Sequence, residues 1–221
     1  MTNLNQTVKS LERLTQWIKY VLYAQIVIAI FSIIFGFLEF RLLATYQEGF
    51  YASLEEAFAD GELVIQSLQV TGIVSLIAFI ASAILILKWI YRANHNARQL
   101  GAQSMSHTPA WSIGYYFIPI FNLWKPYLAL KEIWMTSKSP LDWRYPKVSI
   151  TLPIWWTLWL SSNILNQSIF RLSASAETLP ELMKLNILSQ VSNIMDIPLA
   201  IVTLIIIKNI YKMQTHCMSK I

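Results

Sequence analysis

Charged residues and cysteines are scarce in this chain. Only 13% of its 221 residues are charged and 55% are hydrophobic, whereas about a quarter of the residues in a soluble domain are charged. This composition excludes an ordinary soluble domain and predicts a protein that crosses a membrane several times. The single cysteine, Cys217, excludes a disulfide framework within one chain.

Glycine and histidine are also rare, which limits the possible chemistry. With 6 glycines, a glycine-rich phosphate-binding loop is hard to build, and no nucleotide motif is present. His95, His107 and His216 are scattered and lack the spacing of metal ligands. No Ser–His–Asp or HExxH arrangement occurs. We therefore expect no catalytic residue, no metal and no cofactor, and we favour a protein that is not an enzyme.

The apolar residues form four runs of 21–24 residues, each long enough to cross a bilayer as a helix with some tilt. They predict an all-α fold, a polytopic membrane helical bundle that forms a single membrane domain over residues 1–221. The second run keeps helical character to Leu100, and Gly101 is expected to stop that helix. The predicted spans cover about residues 17–40, 67–90, 150–170 and 187–210.

A fifth apolar segment, residues 110–124, is too short to span. At ~1.5 Å per residue it falls short of a hydrocarbon core of ~30 Å. Pro119 and Asn122 interrupt it and Lys125 ends it, so lengthening the span would place a lysine in hydrocarbon. We predict that residues 109–136 form a proline-broken re-entrant or interfacial helical element.

The basic residues set the orientation. If the 109–136 element does not cross, all 17 lysines and arginines except Arg41, Arg171 and Lys184 fall on one side of the membrane. The positive-inside rule makes that side cytoplasmic. We therefore expect both termini in the cytoplasm. The same rule accounts for the net charge of +5, and no nucleic-acid partner is needed to explain it.

The connection over residues 41–66 is expected outside the cytoplasm. It carries Arg41 and a group of acidic side chains, and the spacing of its apolar residues predicts a short amphipathic helix. The acidic residues of this connection are Glu48, Glu55, Glu56, Asp60 and Glu62.

Basic, aromatic and helix-breaking residues cluster near the predicted inner interface. Lys88, Arg92 and Asn96 share one helix face, which suits a lipid headgroup, although lysine and arginine there can also be stop-transfer charges. Pro119 and Pro126 free backbone carbonyls that a polar cavity or Asn122 must satisfy.

The aromatic side chains of the same region have two readings. Trp111, Tyr127 and Trp134 can form an interfacial belt or a ligand pocket. The acidic Glu132 is expected to pair with Arg92 or Lys125.

A second polar group lies inside the last two predicted spans. Asp196 is ionisable within a span, and such groups mark functional sites by default. Asn163, Asn166 and Asn193 can complete a polar core around it. Proton or cation handling and hydrogen bonding between helices remain open as its role.

The order of short motifs from Tyr91 to Trp134 resembles the bacterial "domain of unknown function 4328" family. The resemblance covers about residues 65–212 and implies a multi-span protein of a bacterial inner membrane, with no implied activity, ligand or cofactor. The motifs are Tyr91-Arg92-Ala93, Asn96, Leu100-Gly101, Pro109-Ala110-Trp111, Phe117-Ile118-Pro119-Ile120, Asn122-Leu123, Pro126-Tyr127 and Glu132-Ile133-Trp134.

Three functions are consistent with these features. The favoured one is a non-enzymatic module that binds an anionic lipid, an amphipathic ligand or a protein partner at the cytoplasmic face. The alternative is a small transporter or channel subunit that uses Asp196 and forms a homo-oligomer. An intramembrane enzyme acting on lipid is the weakest of the three, because no nucleophile or metal constellation is recognisable.

Overall fold

The computed structural model describes residues 2–144 and 147–219, with side chains described from Leu11 onward, and these residues form helices and no strands. The all-α prediction is confirmed. The α-helices are α1 (Thr2–Gln47), α2 (Leu54–Asp60), α3 (Glu62–Gln99), α4 (Pro109–Gly114), α5 (Lys125–Lys138), α6 (Thr151–Ser173) and α7 (Leu179–Met218).

Within the described residues, 3 helices are long and apolar enough to cross a membrane: α1 from Leu11, α3 and α7. They contain the first, second and fourth predicted spans, which supports a membrane-embedded protein. The predicted span at residues 150–170 does form a helix, the 23-residue α6. Its tryptophans and asparagines make it less apolar, and it is not among those 3.

The end of α3 follows from one glycine. Gly101 has a φ of +100°, a left-handed conformation that residues with a Cβ rarely adopt. Its N–H donates to Arg98 O at 3.1 Å, and the next N–H, of Ala102, donates to Ala97 O at 3.2 Å. This pair of bonds is a Schellman motif, which satisfies the last carbonyls of a helix. The predicted stop at Gly101 is confirmed.

The predicted proline-broken element is broken in the structure. The chain forms α4, then 3-10 turns at Tyr115–Phe117 and Phe121–Leu123, and then α5. Thr108 caps α4, because its hydroxyl accepts the Trp111 N–H. Pro126 lies in the first turn of α5, where a missing N–H does no harm.

The 41–66 connection contains the short helix α2, as its sequence predicts. α1 runs on to Gln47, and the amphipathic helix α2 begins only at Leu54. Ser53 caps it, accepting the Glu56 N–H at 3.1 Å, while the Glu56 carboxylate accepts the Ala52 N–H at 2.7 Å. Tyr51 lies outside the helix, and its hydroxyl donates to Asp60 at 2.6 Å.

The chain divides into two compact units. The first consists of Met1–Leu22, Ala81–Thr157 and Ile201–Ile221. Its core includes the buried side chains of Trp89 and Ile133. The second consists of Tyr23–Ile80 and Leu158–Ala200.

Candidate functional site

A buried carboxyl group in the first unit anchors the loop between α3 and α4. Glu132, on α5, is 6% exposed. One of its oxygens accepts the Ser106 N–H at 2.6 Å and the other accepts the His107 N–H at 3.0 Å. These backbone contacts were not predicted, since the sequence suggested Arg92 or Lys125 as the partner of Glu132.

Two α3 side chains hold the other side of the same loop. Asn94 is fully buried and donates to His107 O at 2.9 Å and to the Ser112 hydroxyl at 2.7 Å. Arg98 donates to the Asn94 side-chain oxygen at 3.1 Å and to His107 O at 2.9 Å. We call Asn94, Arg98, His107, Ser112 and Glu132 the loop anchor. It fixes the start of α4 against α3 and α5.

The His107 ring is buried within the loop anchor. Its Nδ1 lies 3.4 Å from the Tyr115 hydroxyl. Burial lowers the pKa of His107 below its ordinary value, the charge of Glu132 opposes that change, and the charge of Lys125 adds to it. The folded state therefore binds a proton at His107 less readily than the unfolded chain does.

This difference predicts a loss of stability in mild acid. Below the unfolded histidine pKa of about 6.5 the unfolded state binds more protons, so stability should fall as the pH is lowered. One such group contributes at most about 1.4 kcal/mol per pH unit. Unfolding in neutral nanodiscs between pH 7 and 5 should show a smaller decline for His107→Gln than for the wild type. The exposed His95 supplies the control, since His95→Gln should retain the full decline.

An apolar surface lies beside the loop anchor, on α4 and the two 3-10 turns. Phe117 is 72% exposed and Ile120 67% exposed, and they are neighbours of other exposed apolar side chains in the chain. Lys125 adds a cation at the edge of this surface, with its Nζ 5.8 Å from the centre of the Tyr115 ring. We call the following residues the aromatic surface: Trp111, Phe117, Ile120, Phe121, Leu123 and Trp124, all exposed.

The three α3 residues predicted to share one helix face differ in their exposure. Lys88 and Arg92 are exposed, whereas Asn96 is 2% exposed. The side chain of Asn96 donates to Gln214 Oε1 at 3.4 Å, and Gln214 in turn donates to Ala93 O at 2.8 Å and to the Ser137 hydroxyl at 2.9 Å. Asn96 therefore connects helices and does not share the surface of Arg92.

The other predicted site residues of this region also differ in how exposed they are. Pro119 is exposed, and Asn122 is half-buried with a side-chain oxygen that has no hydrogen-bond partner among the described residues. Pro126 and Trp134 are buried in the first unit. Tyr127 packs against Trp156, with ring centres 6.2 Å apart. Of the three aromatic residues predicted for the site, the exposed Trp111 belongs to the aromatic surface.

Among the described residues, no hydrogen bond joins the four side chains of the predicted polar core into one group. Asn166 accepts from the Ser192 hydroxyl at 2.9 Å. Asn163 donates to Trp159 O in its own helix at 2.7 Å. Asn193 and Asp196 are half-buried, and no hydrogen bond in the described part of the chain links them to Asn163 or Asn166.

Several buried or half-buried polar residues were missed by sequence reasoning. Asn94, Arg98 and Gln214 belong to the contacts above, and Glu39 and Asn186 form a separate pair in the second unit. Glu39 carried a usable signal, since it is an acid just inside a predicted span. The amide side chains gave no such signal in the sequence, because a glutamine near a helix end is common. Among the described residues no group of three His, Cys, Asp or Glu side chains could hold a metal ion.

The family comparison agrees with the expected resemblance. The model of the family described as "Domain of unknown function (DUF4328)" matches residues 55–212. No curated protein and no solved structure matches the chain. The match covers about seven tenths of the sequence and includes the loop anchor and the aromatic surface. The chain belongs to the DUF4328 family of proteins.

Proposed function

We propose that this protein spans a bacterial inner membrane four times, with both termini in the cytoplasm, and binds anionic lipid headgroups at the cytoplasmic interface. The 109–136 element would lie in that interface without crossing the membrane. The observation that carries the proposal is the aromatic surface, which is exposed and yet rests on a loop anchor made of buried hydrogen bonds.

The aromatic surface suits the boundary between headgroups and acyl chains. Burial of apolar area stabilises by about 25 cal/mol per Å², so large side chains such as Phe117 and Ile120 gain by leaving water. Tryptophan is enriched at this depth because its ring is apolar and its N–H is polar. The aromatic surface contains Trp111 and Trp124.

Cations of the same unit supply the headgroup preference. Lys88 and Arg92 are exposed one turn apart on α3, and Lys125 borders the aromatic surface. A basic side chain near an anionic membrane surface contributes about 1 kcal/mol. The polar residues around Asp196 give less support to a transporter, because the hydrogen bonds do not join them into one site.

We expect the double substitution Lys88→Ala, Arg92→Ala to weaken binding of phosphatidylglycerol. At about 1 kcal/mol for each cation, the affinity for the first bound lipid should fall by roughly tenfold or more. Native mass spectrometry of the purified protein can count bound lipids directly. Binding of zwitterionic phosphatidylcholine should stay unchanged.

The matched control removes two cations on the opposite predicted side of the membrane. Arg41 and Lys184 are both exposed, so Arg41→Ala, Lys184→Ala changes the net charge equally and should leave phosphatidylglycerol binding intact. Equal affinities for wild type and the Lys88/Arg92 variant, with equal unfolding temperatures, would rule out a headgroup site at these residues.

A further inference from the structure

A polar cluster lies between α1 and α7 in the second unit, and none of its residues belongs to the proposed lipid site. Asn186 is 5% exposed, and its side-chain N–H groups donate to Glu39 Oε2 at 2.6 Å and to Gly36 O at 2.9 Å. Gln190 lies one turn further along α7. We call Gly36, Glu39, Asn186 and Gln190 the Glu39 cluster.

The amide orientation of Asn186 is fixed by these contacts. Both hydrogens of its Nδ2 face acceptors, so turning the amide over would set Oδ1 against a carbonyl and a carboxylate oxygen. In the resulting orientation the buried Oδ1 has no hydrogen-bond partner among the described residues. A buried amide oxygen without a partner is unfavourable by about 1–3 kcal/mol, which points to a ligand.

Gln190 repeats this pattern one turn away. Its Oε1 is also buried without a hydrogen-bond partner in the described part of the chain. Its amide lies against the Cα of Gly36, where an added Cβ would be 2.5 Å from Gln190 Nε2. Glycine at position 36 thus lets the amide approach α1 closely. Two amide side chains whose oxygens have no hydrogen-bond partner among the described residues therefore lie against the turn of α1 that carries Gly36 and Glu39.

We propose that the Glu39 cluster binds a small monovalent cation such as Na⁺. Oxygen donors suit hard cations, and one carboxylate with neutral amide oxygens matches a single positive charge. A charged carboxylate inside a membrane span also needs a compensating partner. This site is independent of the lipid site, since none of its residues is in the first unit.

Acidic residues outnumber basic ones in the segment that follows Glu39 in sequence, although the exposed Lys184 lies two residues before Asn186. Residues 41–66 follow Glu39 directly in the same unit. They carry Glu48, Glu55, Glu56, Asp60 and Glu62 and the single basic residue Arg41. An acidic surface raises the local concentration of cations.

The test measures unfolding temperature in neutral-lipid nanodiscs while NaCl replaces N-methylglucamine chloride at constant ionic strength. A ligand that binds only the folded state stabilises it in a saturable way. We expect a saturable rise for the wild type, and an apparent Na⁺ affinity at least about tenfold weaker for Glu39→Gln, because ligand charge governs cation affinity. Glu48→Gln, an exposed acid of the same region, should behave as the wild type.

Two further variants keep the test decisive if Glu39→Gln does not fold. Gln190→Leu removes one amide oxygen, and Gly36→Ala pushes the Gln190 amide away, while both leave Glu39 and Asn186 in place. Each should reduce the response to Na⁺. Equal unfolding temperatures in Na⁺ and N-methylglucamine would overturn the proposal. A response to pH with none to Na⁺ would overturn it too, and would assign a proton to Glu39.

Discussion

Replacing Glu132 with alanine should destabilise the protein by about 3 kcal/mol or more. Hydrogen bonds to a charged group contribute about 1.5–3 kcal/mol each, and buried donors that lose their acceptor add a desolvation penalty. Glu132 accepts two backbone N–H groups, those of Ser106 and His107. The loss should therefore exceed that of an ordinary side-chain hydrogen bond.

The effect should be local as well as global. Limited proteolysis should cut the chain between Gly101 and Thr108 in Glu132→Ala at temperatures where the wild type resists, because a loop without its anchor opens more often. Glu132→Gln should fall between the two, since an amide offers one acceptor oxygen where the carboxylate offers two. Lys138→Ala, an exposed change on the same helix, serves as the control. Wild-type stability in Glu132→Ala would show that the loop is held by other contacts.

Gln214→Leu should be the second most damaging substitution, at about 3 kcal/mol. Gln214 is 1% exposed and makes hydrogen bonds to Ala93 O, the Ser137 hydroxyl and Asn96. Leucine fills a similar volume but cannot donate or accept, so buried partners on α3 and α5 lose their contacts. Equilibrium unfolding in mixed micelles measures the change.

A double-mutant cycle separates the polar contacts from packing. Asn96→Leu and Gln214→Leu should each destabilise, and the double variant should destabilise by clearly less than their sum, because removing both polar partners leaves neither unsatisfied. Thr215→Ala, next in sequence but exposed, should change stability little. Strict additivity of the two leucine substitutions would contradict a direct contact between Asn96 and Gln214.

Those features that depend on local sequence could be predicted. Long apolar runs predicted helices α1, α3 and α7, because bilayer thickness sets a length that soluble helices rarely need. Gly101 predicted the end of α3, because a left-handed residue there favours glycine. A helix was also predicted for the sequence of α6, but its tryptophans and asparagines lower the mean hydropathy of that segment.

The direction of polar side chains could not be predicted in the same way. Arg92 and Asn96 are four residues apart and so differ by only about 40° around the helix. That difference, together with the approach of α7, buries Asn96 against Gln214 and leaves Arg92 exposed. The backbone contacts of Glu132 could not be predicted for a related reason. A sequence shows which charges could pair with a carboxylate, whereas backbone N–H groups, the donors that it meets, are the same at nearly every residue.

The sequence separation of these contacts implies an order of assembly. Asn94 and His107 are 13 residues apart, and Ser106 and Glu132 are 26 apart. All residues of the loop anchor have been made once α5 has left the ribosome, and these loops carry a somewhat smaller entropic penalty of closure than longer ones. Gln214 and Ala93 are separated by 121 residues, and Asn186 and Gly36 by 150. These contacts must wait for the synthesis of α7, so both units are completed only after that helix has been made.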